Sequence, residues 1–177
     1  MRRHVETLDE RRGKRPGKPM KVTGTTKLPA PVGAVYAALR QPEVLARTIP
    51  GCQHLELVGE DAYRMTVGVG VATIRGLYHA DVQLLCGAGA PYTFALRASG
   101  AGLPGDFEAD VGIVLADAQS GATALSYSAR VTVGGVAGAL GSFILTRAAK
   151  KSADEFFRGL HRFLSASKEA EFVRHPA

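Results

Sequence analysis

The side chains whose types and spacing could do chemistry are Cys52, His54, His79 and Asp81. Cys52 and His54 stand two apart in "PGCQHLE", the spacing that places neighbours on one face of a strand. A thiol beside an imidazole base is the beginning of a nucleophilic site. His79 and Asp81, in "YHADVQ", have the same spacing and the makings of a His–carboxylate pair for proton transfer. Each arrangement also has a simpler reading. Cys52 can serve as a small half-buried thiol with a strand histidine nearby. His79 and Asp81 continue with Gln83 as a polar face, opposite Tyr78, Ala80, Val82 and Leu84. The second cysteine, Cys86, has no motif spacing to Cys52, so neither a disulfide framework nor a zinc site is indicated. The glycines lack the G-x-x-x-x-G-K-[ST] phosphate loop. The expectation is a protein with no catalytic residues and no metal site.

The elements that would position these groups follow from periodicity. "MKVTGTTKL" (20–28) alternates as a strand, with Val22, Gly24, Thr26 and Leu28 on one face. "PVGAVYAALR" then reads as a helix with Pro31 at its first position, and Pro42 opens a second short helix that Pro50-Gly51 ends. From Cys52 the period changes to two, and six strands are expected at 52–59, 62–72, 76–86, 91–99, 106–116 and 122–133. Short Gly-rich connections between them argue for an antiparallel meander. After Gly134-Gly135 a long helix is expected from Val136 to about Ser165, with Leu140, Ile144, Phe156, Leu160 and Phe163 or Leu164 as its apolar stripe. Its middle carries Ala148, Ala149, Ser152 and Ala153. Small residues there either leave space beneath the helix or allow tight helix–sheet contact.

Alternation assigns an apolar interior to the sheet. Met65, Val67, Val69, Phe94, Leu96, Phe107, Val111 and Tyr127 are the expected cavity lining, joined by Ala148 and Ser152 from the helix. Tyr127 would be the polar handle for a carbonyl. In a meander each hairpin reverses the end of the sheet, so the connections 49–52, 73–76, 100–105 and 134–138 fall at one rim. Ile49, Pro50, Gly51, Leu103, Pro104 and Val136 make that rim apolar and mark it as the expected cavity mouth.

Charge narrows the partners. The chain of 177 residues has a net charge of +6. Residues 1–19 hold seven Lys/Arg against three acids, so the basic character belongs mainly to this leader. It has no aromatics for stacking on bases, and a solvated, disordered tail is expected rather than nucleic-acid binding. It has no apolar core for a secretory signal, and Met20, where the first strand begins, is the expected start of the native protein. Sixteen uncharged residues between Arg130 and Arg147, interrupted by glycines, are too few to span a membrane. With unpaired cysteines, a cytoplasmic location is expected. The organisation is therefore leader 1–19, one domain 20–166, and a short polar tail 167–177.

The order β-α-α-β6-α resembles the α+β helix-grip arrangement of the START-like (SRPBCC) superfamily, a seven-stranded antiparallel sheet wrapped around a long C-terminal helix. "PVGAVYAALRQPEVLARTIPGCQHLE", "VGVGVATIRGLYHADVQL" and "GGVAGALGSFILTRAAKKSADEFF" are more closely similar to the carbon monoxide dehydrogenase G-subunit family, over residues 20–164. The resemblance implies a non-catalytic accessory protein of a molybdenum-containing hydroxylase. It implies an apolar small molecule, quinone or lipid-like, in the cavity, and recruitment of the enzyme to the inner face of the membrane. Some family members carry a hydrophobic C-terminal anchor, whereas this sequence closes with "SASKEAEFVRHPA". Two alternatives remain: a START-like enzyme of cyclase or hydrolase type, which needs an acid or base inside the cavity, and a pure assembly factor whose cavity is incidental.

Overall fold

The computed structural model describes residues 17–86 and 92–174. The basic leader (except Gly17–Pro19), the expected turn at 87–91 and the last three residues lie outside the described part. Strand β1 (Met20–Leu28) is followed by helices α1 (Val32–Ala38) and α2 (Pro42–Thr48). Strands β2 (Cys52–Gly59), β3 (Ala62–Val71), β4 (Ile74–Cys86), β5 (Thr93–Gly102), β6 (Gly105–Ala118) and β7 (Ala122–Val133) form the meander. Helices α3 (Gly135–Gly138) and α4 (Ser142–Arg174) complete the order. The sheet is antiparallel throughout, in the order β1-β7-β6-β5-β4-β3-β2.

Periodicity placed most elements, and local chemistry explains the differences. Pro31 is extended and caps α1, which begins at Val32, while Pro42 sits in the first turn of α2, where its missing N–H costs nothing. β5 and β6 run further than their alternation suggested. Gly100 and Gly102 belong to β5, and the turn shrinks to Leu103-Pro104. A side chain at Gly100 would overlap the Phe107 ring, so glycine there keeps the pairing intact. The expected continuous helix from Val136 is broken: Gly141 has φ +85°, and α4 starts only at Ser142. At the other end α4 runs on to Arg174, so the boundary drawn at 166 falls inside the helix.

The core lies between the concave face of the sheet, α1 and the C-terminal half of α4. Leu28, Val35, Leu125 and Leu160 are wholly buried, with Leu115 and Leu164 packed among them. Thr123 is a buried polar residue whose hydroxyl donates to the Ala30 carbonyl at 2.7 Å, as burial of a hydroxyl requires. The convex face is solvated and carries cross-strand ion pairs, Arg64–Asp81 at 2.9 Å and Arg97–Asp110 at 3.0 Å.

A candidate ligand cavity and its surroundings

Towards the N-terminal half of α4 the packing gives way to a cavity of about 440 Å³. That is within the span of roughly 300–1,000 Å³ common for small-molecule sites. Its walls are Met65, Val82, Phe94, Leu96, Val111 and Ile113 of the sheet, Leu45, Ile49 and Pro50 at the end of α2, and Ala149, Ser152, Ala153 and Phe156 of α4. The small residues of α4 leave this space open because no side chain there is long enough to reach the sheet. Ser152 lines the cavity yet is exposed, so the cavity reaches solvent at α4, with Ile49 and Pro50 also in its wall.

Of the expected lining residues, Met65, Phe94, Leu96, Val111, Tyr127 and Ser152 stand in the wall. Val67, Val69, Phe107 and Ala148 do not. Val67 and Val69 share the face of Met65, but they lie nearer the β3–β4 turn, beyond the cavity, and Val69 is exposed. The Phe107 ring packs edge to face on Tyr78, with 5.7 Å between centroids, outside the cavity wall. Ala148 of α4 is outside the wall, in which Ala149 and Ala153 stand.

The expected mouth is corrected in the same way. Ile49 and Pro50 line the cavity, and Gly51 adjoins them in the neighbouring groove. Gly51 holds φ +73°, and a side chain there would collide with the Gly68 carbonyl. Leu103, Pro104 and Val136 do stand at the same end of the sheet but leave the cavity walls to others. Leu103 is fully exposed in its turn, Pro104 is buried against Gly76, and Val136 is exposed on α3. Tyr78, buried against the Phe107 ring, stands on the inner face between that rim and the cavity wall.

Polar groups at the wall are few. The Tyr63 hydroxyl is engaged, donating to the Arg40 carbonyl at 2.7 Å. Tyr127 lies over Gly24 of the paired strand, with its hydroxyl near the place where a Gly24 side chain would be. The ring stacks at 5.3 Å on Phe157. Burial and, to a lesser degree, the Asp154 carboxylate push the Tyr127 phenol above its ordinary value, so it stays protonated and able to donate. Its hydroxyl end borders a second groove, with Thr23, Lys150, Asp154 and His161, outside β1.

The residues first considered for chemistry stand elsewhere. His79 is exposed on the convex face, its Nδ1 3.2 Å from the Thr66 hydroxyl, and Asp81 is paired with Arg64. His54 is exposed and 3.7 Å from Glu56. A register shift separates Cys52 from His54, and the thiol donates to the His54 carbonyl at 3.5 Å instead of meeting the imidazole. Burial pushes the Cys52 thiol above its ordinary value, more than that hydrogen bond lowers it, which opposes thiolate formation. Cys86 closes β4 opposite Phe94. Among the described residues no group of three His, Cys, Asp or Glu could hold a metal ion. Among the same residues no helix is long and apolar enough to cross a membrane.

Comparison with known proteins agrees with this geometry. The sequence pattern of the carbon monoxide dehydrogenase G-subunit family (CoxG) matches residues 24–165. No curated protein matches the chain. A conserved protein from Geobacillus kaustophilus is 31% identical, with a TM-score of 0.78 over 84% of this chain and 97% of its own. A START superfamily protein from Mycobacterium smegmatis shares 11% identity, with a TM-score of 0.64 over 82% of this chain and 97% of its own. The Zhui aromatase/cyclase from Streptomyces sp. R1128 shares 15%, with a TM-score of 0.60 over 90% and 98%. The last two likenesses establish the helix-grip fold alone.

Proposed function

The chain belongs to the carbon monoxide dehydrogenase G-subunit family, and from that membership we propose that it is a non-catalytic accessory protein of a molybdenum-containing hydroxylase of the carbon monoxide dehydrogenase type. In this role it carries an apolar small molecule, quinone-like or lipid-like, in its internal cavity. The observation that carries the reading is the cavity wall: among the described residues it is aliphatic and aromatic, with tyrosine and serine hydroxyls as its polar side chains and no carboxylate, imidazole or thiol. Such a wall favours binding over acid–base chemistry. A ligand burying roughly 300 Å² of apolar surface there gains several kcal/mol at about 25 cal/mol per Å².

Titration of the purified protein with a short-chain naphthoquinone, followed by quenching of tyrosine fluorescence, tests the reading. Saturable binding with one site per chain is expected. A protein that rejects naphthoquinones and yields no apolar molecule on solvent extraction would refute it. Partnership rests on the family and is read by co-purification: a tagged chain that leaves co-expressed dehydrogenase subunits behind speaks against it.

The same accessory role includes contact with the membrane surface. Leu103, Val136 and Phe143 are among the most exposed apolar side chains, and Ile144 is partly exposed. They stand near one end of the fold, with Arg147 over the Phe143 ring at 5.9 Å. Apolar side chains beside a cation suit the interface of an anionic bilayer. Flotation with phosphatidylglycerol vesicles is expected to carry the protein, and Leu103→Glu with Phe143→Glu is expected to leave it behind. Equal flotation of both proteins removes this surface from the reading.

A further inference from the structure

Beside the cavity opening lies a groove of about 540 Å³ between the end of α2 and one flank of α4. Ile49 and Pro50 line both, so one short turn is the partition between apolar and polar space. The groove's other walls include Arg47 from α2 and Glu155, Arg158, Gly159 and Arg162 from α4. Gly159 faces α2, where a β-carbon would meet the Cα of Thr48 at 3.4 Å, in ordinary van der Waals contact. Along α4, Ser152 at the opening and then Glu155, Gly159 and Arg162 follow one another on a single flank, at helical spacing.

The charges of this groove are unequal. Three guanidiniums face one carboxylate, and Glu155 has Lys151 at 3.9 Å as its own partner. Among the described residues Arg47, Arg158 and Arg162 have no carboxylate within ion-pair distance. Like charges in excess of counter-charge at the edge of an apolar chamber suit a molecule with a negative end and an apolar body. We propose that the α2–α4 groove is the headgroup site for an amphiphilic anion, a single-chain carboxylate, whose apolar chain lies in the cavity. The proposal rests on the cavity being a binding site and adds the chemical class of its occupant. The carboxylate stays ionised and hydrated in the groove while the chain passes Pro50 and Ser152 into the fold, so no charge is buried.

The test compares dodecanoate with dodecanol by calorimetry at pH 8, since the two share one chain and differ in head charge. Dodecanoate is expected to bind about five- to tenfold more tightly at low salt. In Arg47→Gln/Arg162→Gln the preference is expected to fall to about twofold or less, with dodecanol affinity unchanged. Raising sodium chloride from about 0.02 M to about 0.5 M should shrink it similarly, because the groove is open to solvent. Both substitutions are at exposed positions, and a matching unfolding temperature verifies the fold. Equal binding of acid and alcohol by the unaltered protein overturns the headgroup site and leaves the apolar cavity standing. A preference that survives the double substitution overturns the assignment to these arginines. Failure of both ligands to bind overturns the cavity reading along with the proposal.

Discussion

Ala153→Phe will raise the dissociation constant for a naphthoquinone at least about tenfold while leaving the protein as stable as before, or more so. Ala153 is half-buried on α4 and faces the cavity beside Ala149 and Phe156. A phenyl ring in that place occupies the volume a ligand needs. Losing the burial of even part of a ring's worth of apolar surface costs on the order of 2 kcal/mol, which is more than tenfold in affinity. The stability effect has the opposite sign because space in an apolar interior is a defect of packing, and filling it restores dispersion contacts. A gain of up to about 1 kcal/mol in urea unfolding is expected. The two measurements together are diagnostic. Unchanged quinone affinity in a correctly folded Ala153→Phe protein places the ligand somewhere other than the cavity.

Leu160→Ala carries the largest expected cost in stability. Leu160 is wholly buried two turns beyond Ala153, where α4 meets Leu28, Val35 and Leu125. Truncating a fully buried leucine removes transfer free energy and leaves a void that the sheet can only partly close, for about 3–5 kcal/mol. For a chain of this size that lowers the unfolding midpoint by about 10 °C. Calorimetric scanning reads it directly, and a loss under about 1 kcal/mol shows that α4 is held by other contacts. Since Leu160 and Leu164 fasten the helix beyond the cavity, the same substitution also loosens the wall that Ala149, Ser152 and Ala153 provide. Weaker quinone binding accompanies the loss of stability.

Much of this architecture was legible because alternation is strict in the strands. Period two reports which face a residue takes, and Met65, Phe94, Leu96, Val111 and Tyr127 all face inward as expected. It does not report depth along the strand. Val69 and Phe107 share the inner face but stand beyond the cavity, towards the end that α3 covers. Similarly, small residues on α4 allowed either open space or tight contact, and choosing between Ala148 and Ala149 requires the rotation of the helix about its axis. That rotation is reset by the break at Gly141, one of several glycines in an uncharged run. Parity correctly brought four connections to one end, but it says nothing of whether side chains such as Tyr78 block that end. The arginine groove had no linear signal, because Arg47 and Arg162 are separated by six of the seven strands. The register shift in β2 was equally silent, and with it the separation of the Cys52 thiol from the His54 ring.

The glycine in the first strand has a wider meaning. Tyr127 can lean across β1 because Gly24 offers no side chain, and atoms of the Tyr127 ring and its hydroxyl lie within 2.7 Å of where a β-carbon would stand. Gly24 itself is absent from the cavity wall. The shape of the chamber thus depends in part on a residue outside its wall. A side chain at this remote position would displace the Tyr127 ring and reshape the chamber while leaving the identity of every wall residue as it is.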